Sequence, residues 1–350
     1  MRHRLAIFAA ALVSATPLAA QHSMSMPAHP AAPRSKISTR HYGDTLLVVT
    51  LGPLSLPAGD HHMDTPQLGI QTWRMQTGGY LRGYRADIVD GQGRALPHQL
   101  LHHAELVDLE RRDALRRALN RVASLGKETH ELMLPRLLGY PVHDGQLMGI
   151  NAMLANATTT NYPDVYLRAS IRITPQDAWF VRPVMSLFAE TSYDSSGDSD
   201  FDLPPGQSNK MVTFSVPVAG KFLGLGGHMH DYGTRFVVVR SGTRDTIYDA
   251  VPVRDSAGAV LEMPRRLTLF RGVRVHPGDT FVMTVFYNNT SGRLLPNAGM
   301  GTFGMLFMPD DMKQWPRLDQ NDPEIRRDLV GLHSTSMKRA HQMAGMKIND

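Results

Sequence analysis

One stretch of the chain is written twice. The segment from Pro141 to Thr158 is echoed by the segment from Arg274 to Ser291. Val142 matches Val275, His143 matches His276, Gly145 matches Gly278 and Asn156 matches Asn289, all at one constant offset of 133. Each copy reads as a turn feeding a strand that closes in an Asn-rich turn, and each lies downstream of a histidine pair. A repeat of this size points to two β domains of similar plan.

The rest of the chain agrees with that frame. Its 350 residues give room for two domains with full cores. Segments rich in Val, Thr, Phe and Tyr, broken by Gly, Pro and Asn, recur from Ile70 to Leu306, which is the pattern of an all-β protein with few helices. Two stretches read as helix. One runs from about Leu109 to Ser124, with Leu109, Leu115, Leu119 and Val122 as its apolar stripe, a solvated Arg-rich face and Gly126 as its stop. The other runs from about Pro323 to Met343.

The N-terminus has the form of a secretory signal: Arg2, His3 and Arg4, then an apolar run from Leu5 to Val13, then small residues to Ala20. The expectation is an exported protein, periplasmic or extracellular, with no membrane span, since no later run is long and apolar enough for one. The expected layout is a signal peptide over 1–20, a disordered Met/His-containing leader over 21–40 and a first β domain over 41–175. A linker with an acidic loop over 176–209 follows, then a second β domain over 210–310 and a helical tail over 311–350. Loss of Arg2 and Arg4 takes the formal charge from +5 to +3, with no dense basic stripe, so nucleic acid is not an expected partner.

Cysteine is absent, so any metal site must draw on His, Met or carboxylate, and 16 His and 20 Met are available. Imidazole with thioether suits copper, Cu(I) especially. Among the candidate positions, His228 and His230 stand out. One residue apart in a strand, they share a face about 6.6 Å apart along it, near enough to lean onto one metal, while Met229 faces the other way. The same spacing also serves a hydrogen-bonded pair on a half-exposed strand. Gly226, Gly227 and Gly233 suggest tight backbone turns around the pair. His102 and His103 are neighbours, so they reach one metal only across a bulge, or with one ring using its nearer nitrogen. His22, Met24, Met26 and His29 in the leader, His61, His62 and Met63 in a Pro/Gly loop, and His341, Met343 and Met346 at the C-terminus are looser groupings.

From about Thr72 to Met308 the chain resembles a divergent, bacterial-type relative of the copper type II, ascorbate-dependent monooxygenases, which include the peptidylglycine α-hydroxylating and dopamine β-monooxygenases. The likeness is carried by Asp202 to Gly206, the pair His228 and His230, the run Val275 to Thr280, Tyr287 to Asn289, and Met300 ahead of a hydrophobic strand ending at Met308. The resemblance implies two antiparallel jelly-roll-like β-sandwiches facing across a cleft. It implies an oxygen-activating copper on His228, His230 and Met300. It also implies a second, electron-relaying copper at His102 and His103. There the family has a third histidine and this chain has Met153 at the nearest place, with His130 and His143 as substitutes. A small-molecule substrate and a reductant would be the partners. Where the peptide hydroxylases grip a carboxylate, this chain has Gly226, Thr302 and Gly304, so a peptide-amidating role is not expected. Three readings follow: a copper monooxygenase using one or two ions, a non-catalytic copper protein for storage, delivery or sensing, and a metal-free β-sandwich binding module. No G-x-S-x-G, Walker-type loop or cysteine supports another mechanism.

Overall fold

The computed structural model describes residues 36–59, 68–126, 129–191, 200–256, 258–268 and 271–333. They form an all-β protein of two antiparallel sandwiches in tandem, with one α-helix among the described residues. Alternation decides the strands. Asp279–Asn289 and Gly301–Pro309 bury every second side chain along most of their length, as strands with one face on a core must.

In the first sandwich a seven-stranded sheet has the order Lys36–Tyr42, Leu46–Leu56, Tyr162–Pro175, Gly79–Asp90, Leu138–Val142, Arg182–Pro183, with Glu131–Met133 also paired to Gly79–Asp90. The facing sheet is Gln71–Arg74, Leu147–Leu154, Leu101–Arg112, Leu119–Gly126. Their core is aliphatic: Leu47, Val49, Ile88, Leu167 and Ile171 on one side, Leu106, Met148 and Ile150 on the other.

The second sandwich sets Met185–Glu190, Gly301–Pro309, Gly220–Met229 and Arg265–Leu267, with Val273–Val275 on the same sheet, against Gly206–Val216, Asp279–Asn289, Gly233–Arg240 and Thr246–Ala250. Its core is aromatic. Phe214, Phe222 and Phe303 pack at 5.4 to 6.3 Å between ring centres with Phe281 and with one another. Each is a residue whose truncation to alanine would cost about 3–5 kcal/mol.

The repeat is structural. Asn156 Nδ2 donates to the carbonyls of Leu56, Pro57 and Thr160, and its Oδ1 accepts from Thr158. Asn289 Nδ2 donates to Leu203, Pro204 and Arg293, and its Oδ1 accepts from Ser291. At the opening turn, the His143 N–H donates to Gln146 and the His276 N–H to Asp279, again at matching positions.

Three expectations need correction. The stretch from Leu109 to Ser124 is not a helix: the Leu101–Arg112 strand turns back into Leu119–Gly126. Asp113 makes the turn, its Oδ1 capturing the N–H groups of Leu115 and Arg116. The arginines that suggested a solvated helix face are instead paired across packed surfaces, Arg116 with Glu190 at 2.5 Å and Arg121 with Asp328 at 2.7 Å. The described part of the expected 176–209 linker is mostly strand. Arg182–Pro183 completes the first sandwich, Met185–Glu190 is the edge of the second, and Phe201–Leu203 pairs with Leu295–Gly299. The first sandwich also begins earlier than expected, at Lys36.

The tail helix Pro323–His333 returns to the first sandwich. Ile325 and Leu332 pack on Ile70, Val107 and Leu119, and Asp328 accepts from the Leu119 N–H and from Arg121. The signal peptide, the leader histidines and methionines, His61, His62, Met63, residues 192–199 of the acidic loop, and His341, Met343 and Met346 lie outside the described residues. No helix among those described is long and apolar enough to cross a membrane.

Candidate metal centre

The Gly220–Met229 strand lies beside Gly301–Pro309 with His228 opposite Thr302 and Met229 opposite Gly301. The ladder ends there, and His230 and Met300 follow immediately beyond it, one on each strand's continuation. Residues directly opposite on antiparallel strands share a face, with Cβ atoms about 4.5–5.5 Å apart. Met229 is buried in the core as expected, at 2% exposure, while both histidines are half-buried on the outer side.

Tyr287 locks this end of the ladder. Its hydroxyl accepts from the N–H of His230 at 3.2 Å and from the N–H of Met300 at 3.1 Å, and donates to the Met300 carbonyl. Burial pushes the phenol well above its ordinary value, so it keeps its proton at neutral pH. One oxygen thus ties the backbones of two candidate ligands. After His230 the chain reverses through Tyr232, at φ +68°, and the Gly233 N–H donates back to the His230 carbonyl.

Gly233 closes that turn as expected, but Gly226 and Gly227 do not form one. Gly226 and Gly227 lie within the strand. A Cβ on Gly227 would meet Met263, Phe236 and the Tyr248 hydroxyl, and one on Gly233 would press on Met229 at 2.6 Å. Gly226 faces outward, opposite Gly304, with only Arg265 within 4 Å of a built Cβ. At Gly226 and Gly304 the two strands carry no side chain of their own on this face. Gly226, Thr302 and Gly304, where the resemblance would place a substrate clamp, share this face with Arg265, which pairs with Gly226, and Glu190, which pairs with Thr302.

In the first sandwich a bulge falls at His102. Leu101 pairs with Leu154 and His103 with Met153, leaving His102 as the extra residue between them. The two rings lie 5.0 Å apart between centres, and Nδ1 of each is buried. Met153 stands across from His103, 5% exposed. His130 stacks on His98 at 3.7 Å, and His98 Nε2 meets the carbonyl of Gly126, the residue opposite His103. Burial leads in holding the His98 imidazole below its ordinary value. His143 sits at the other end of the Leu147–Leu154 strand, bonded to Glu110 at 3.1 Å, and is no substitute ligand for Met153.

No local pattern marks the meeting of the two pairs. His102 and His230 have ring centres 6.1 Å apart at 75°, and His228 and His230 are 5.5 Å apart at 86°. Four rings therefore run in series, His103, His102, His230, His228, across the boundary between the sandwiches. That boundary is fixed by the Arg116–Glu190 ion pair and by Ser186 Oγ donating to the Val122 carbonyl at 2.5 Å. Glu190, Thr302 and His228 occupy one row across three strands, so the anchored row carries the histidine with it. Burial, opposed by Arg116, raises Glu190 above the usual carboxylate range.

Among the described residues no three His, Cys, Asp or Glu side chains already form a group that could hold a metal ion. The set of His228, His230 and Met300 is of another kind, two imidazoles with a thioether. Its donor chemistry, two imidazoles and one soft sulfur, fits copper better than zinc or a hard cation.

No family model and no curated protein matches the chain. Among solved structures, the major capsid protein P2 from bacteriophage PM2 is 10% identical, over 77% of this chain and 100% of that one, with a TM-score of 0.35. PNGase F, a glycosylasparaginase from Flavobacterium meningosepticum, is 8% identical, over 75% of this chain and 96% of its own, at 0.36. Likeness at that level carries no argument about this chain's site.

Proposed function

We propose that this is an exported copper-binding protein akin to the ascorbate-dependent copper monooxygenases, holding copper on His228, His230 and Met300. The observation that carries the reading is the Tyr287 hydroxyl, bonded to the backbones of both His230 and Met300 at the end of the ladder that presents His228. A hydrogen-bonded histidine pair on a half-exposed strand needs no such tie to a methionine. His102 and His103, with Met153 beside them, offer a second set of soft and borderline donors. Copper bound at such a site supplies one-electron chemistry and dioxygen activation. The chain's own part is to fix two rings and a sulfur on one face and to leave the neighbouring glycine strand open for a small C–H substrate.

A non-catalytic copper protein is the second reading, favoured by one observation. Gly226, Gly304 and Thr302 stand at the positions that grip substrate in the peptide hydroxylases, and none of the three carries a charge.

The test is anaerobic loading of the full chain with Cu(I), removal of excess, and metal analysis. At least one equivalent should stay bound in the wild type and be lost in the double variant His228→Ala/His230→Ala. A wild type that retains no copper overturns the proposal. Oxygen uptake by the loaded protein with ascorbate and small C–H substrates then separates the two readings: turnover supports the monooxygenase, and its absence supports storage or delivery.

A further inference from the structure

We infer that an ion seated on His228 and His230 takes His102 from the first sandwich as a third imidazole, so that the centre is a single metal site shared between the two sandwiches. This rests on the copper-binding reading above and goes beyond it, because the sequence pairs the histidines by domain and assigns each pair its own ion.

The argument starts from ring spacing. An imidazole nitrogen about 2.0–2.1 Å from a cation sets its ring centre roughly 3.2 Å from that cation, so two rings on one ion lie roughly 4.5–6.4 Å apart. His228 to His230, at 5.5 Å, and His230 to His102, at 6.1 Å, both fall in that range. His230 is the common member. The rings are near-perpendicular in both pairs, as they are when ligands approach one centre from different directions. Their donor atoms are not yet gathered into a ready group, so loading turns the rings about their side-chain torsions.

The backbone explains why His102, and not His103, is the one that crosses. His103 keeps its place in the ladder opposite Met153, and its side chain follows the pleat. His102 is the residue the bulge adds, and a bulge re-aims the side chain it carries. On the other side, the glycines at 226 and 304 add no side chain of their own to the strand positions nearest His228 on its face. The Arg116–Glu190 pair holds the row containing His228 against the first sandwich before any metal arrives. Metal loading would therefore stitch together two bodies already in contact, and it would stabilise the whole chain rather than one half.

X-ray absorption of the full chain loaded with one equivalent of Cu(I) tests this, with His102→Gln and His103→Gln alongside. The expected result is three imidazoles per copper in the wild type and in His103→Gln, falling to two in His102→Gln. Copper affinity in His102→Gln should drop on the order of 10- to 100-fold. If His102→Gln does not fold, the wild-type count decides alone. Two imidazoles in the wild type, or a count and affinity untouched by His102→Gln, overturn the shared site while leaving copper binding at His228 and His230 intact. Failure of the wild type to hold copper removes both.

Discussion

Asn156 and Asn289 do the same work in the two sandwiches; the two histidine pairs do not. Each asparagine spans three carbonyls and accepts from a hydroxyl residue two places on, partner for partner. His102 and His103, by contrast, open a strand by way of a bulge, while His228 and His230 close a strand of another sheet and run into a turn. The repeat preserves what a buried backbone demands, since a carbonyl removed from water needs a donor wherever it lies. It does not preserve chemistry. The histidine pairs arrive from different elements, and they meet only because the sandwiches pack as they do.

The strongest way to break this comparison is to remove the brackets. Asn156→Ala and Asn289→Ala each strand one buried and two part-buried carbonyls and should each cost about 2–4 kcal/mol in urea unfolding. Losses differing by more than a factor of two would mean that the brackets only look alike. Next in size is Tyr287→Phe, which removes the oxygen shared by His230 and Met300. A stability loss of about 1–3 kcal/mol is expected, together with weaker copper retention. A variant that unfolds earlier yet keeps full copper affinity would show that the tie serves the fold alone.

Two smaller effects follow from protonation. Burial works to raise Asp328, but Arg121 and the Leu119 N–H more than offset it and hold the carboxyl below its ordinary value. A depressed carboxylate contributes stability that is complete above its unfolded pKa, about 3.9, and is lost as pH falls through the folded value. Acid should therefore loosen the tail helix from the first sandwich, and Asp328→Asn should flatten that part of the stability profile. The smallest effect belongs to His98. With its imidazole held below the ordinary value, its contribution is complete above an unfolded pKa of about 6.5 and is lost as pH falls through the lowered one. His98→Asn should remove a shift of about 1–2 °C in melting temperature between pH 7.5 and 5. An unchanged slope would assign the acid sensitivity elsewhere.

Much of the frame was legible in the sequence. Alternation in stretches such as Gly301–Pro309, and the recurrence of Asn156 at Asn289, sufficed for two β domains, because both are local demands of a half-buried strand and its closing turn. The adjacency of His102 and His103 named a bulge as one of two ways for the pair to reach one metal, and the register shift at His102 is the structure's own finding. What misled was Leu109 to Ser124. Its leucines fit a helical stripe, and its arginines read as solvated, yet their partners Glu190 and Asp328 lie far away in sequence. The meeting of His102 with His230 was invisible for the same reason. It depends on sheet-to-sheet packing, which no local pattern records.

The most direct test of the account is the sulfur signal in the X-ray absorption of the Cu(I)-loaded protein. The account predicts one sulfur scatterer together with the imidazoles in the wild type, and its disappearance in Met300→Leu with the fold unchanged. Retained copper with no sulfur neighbour, or a sulfur signal indifferent to Met300→Leu, would contradict it.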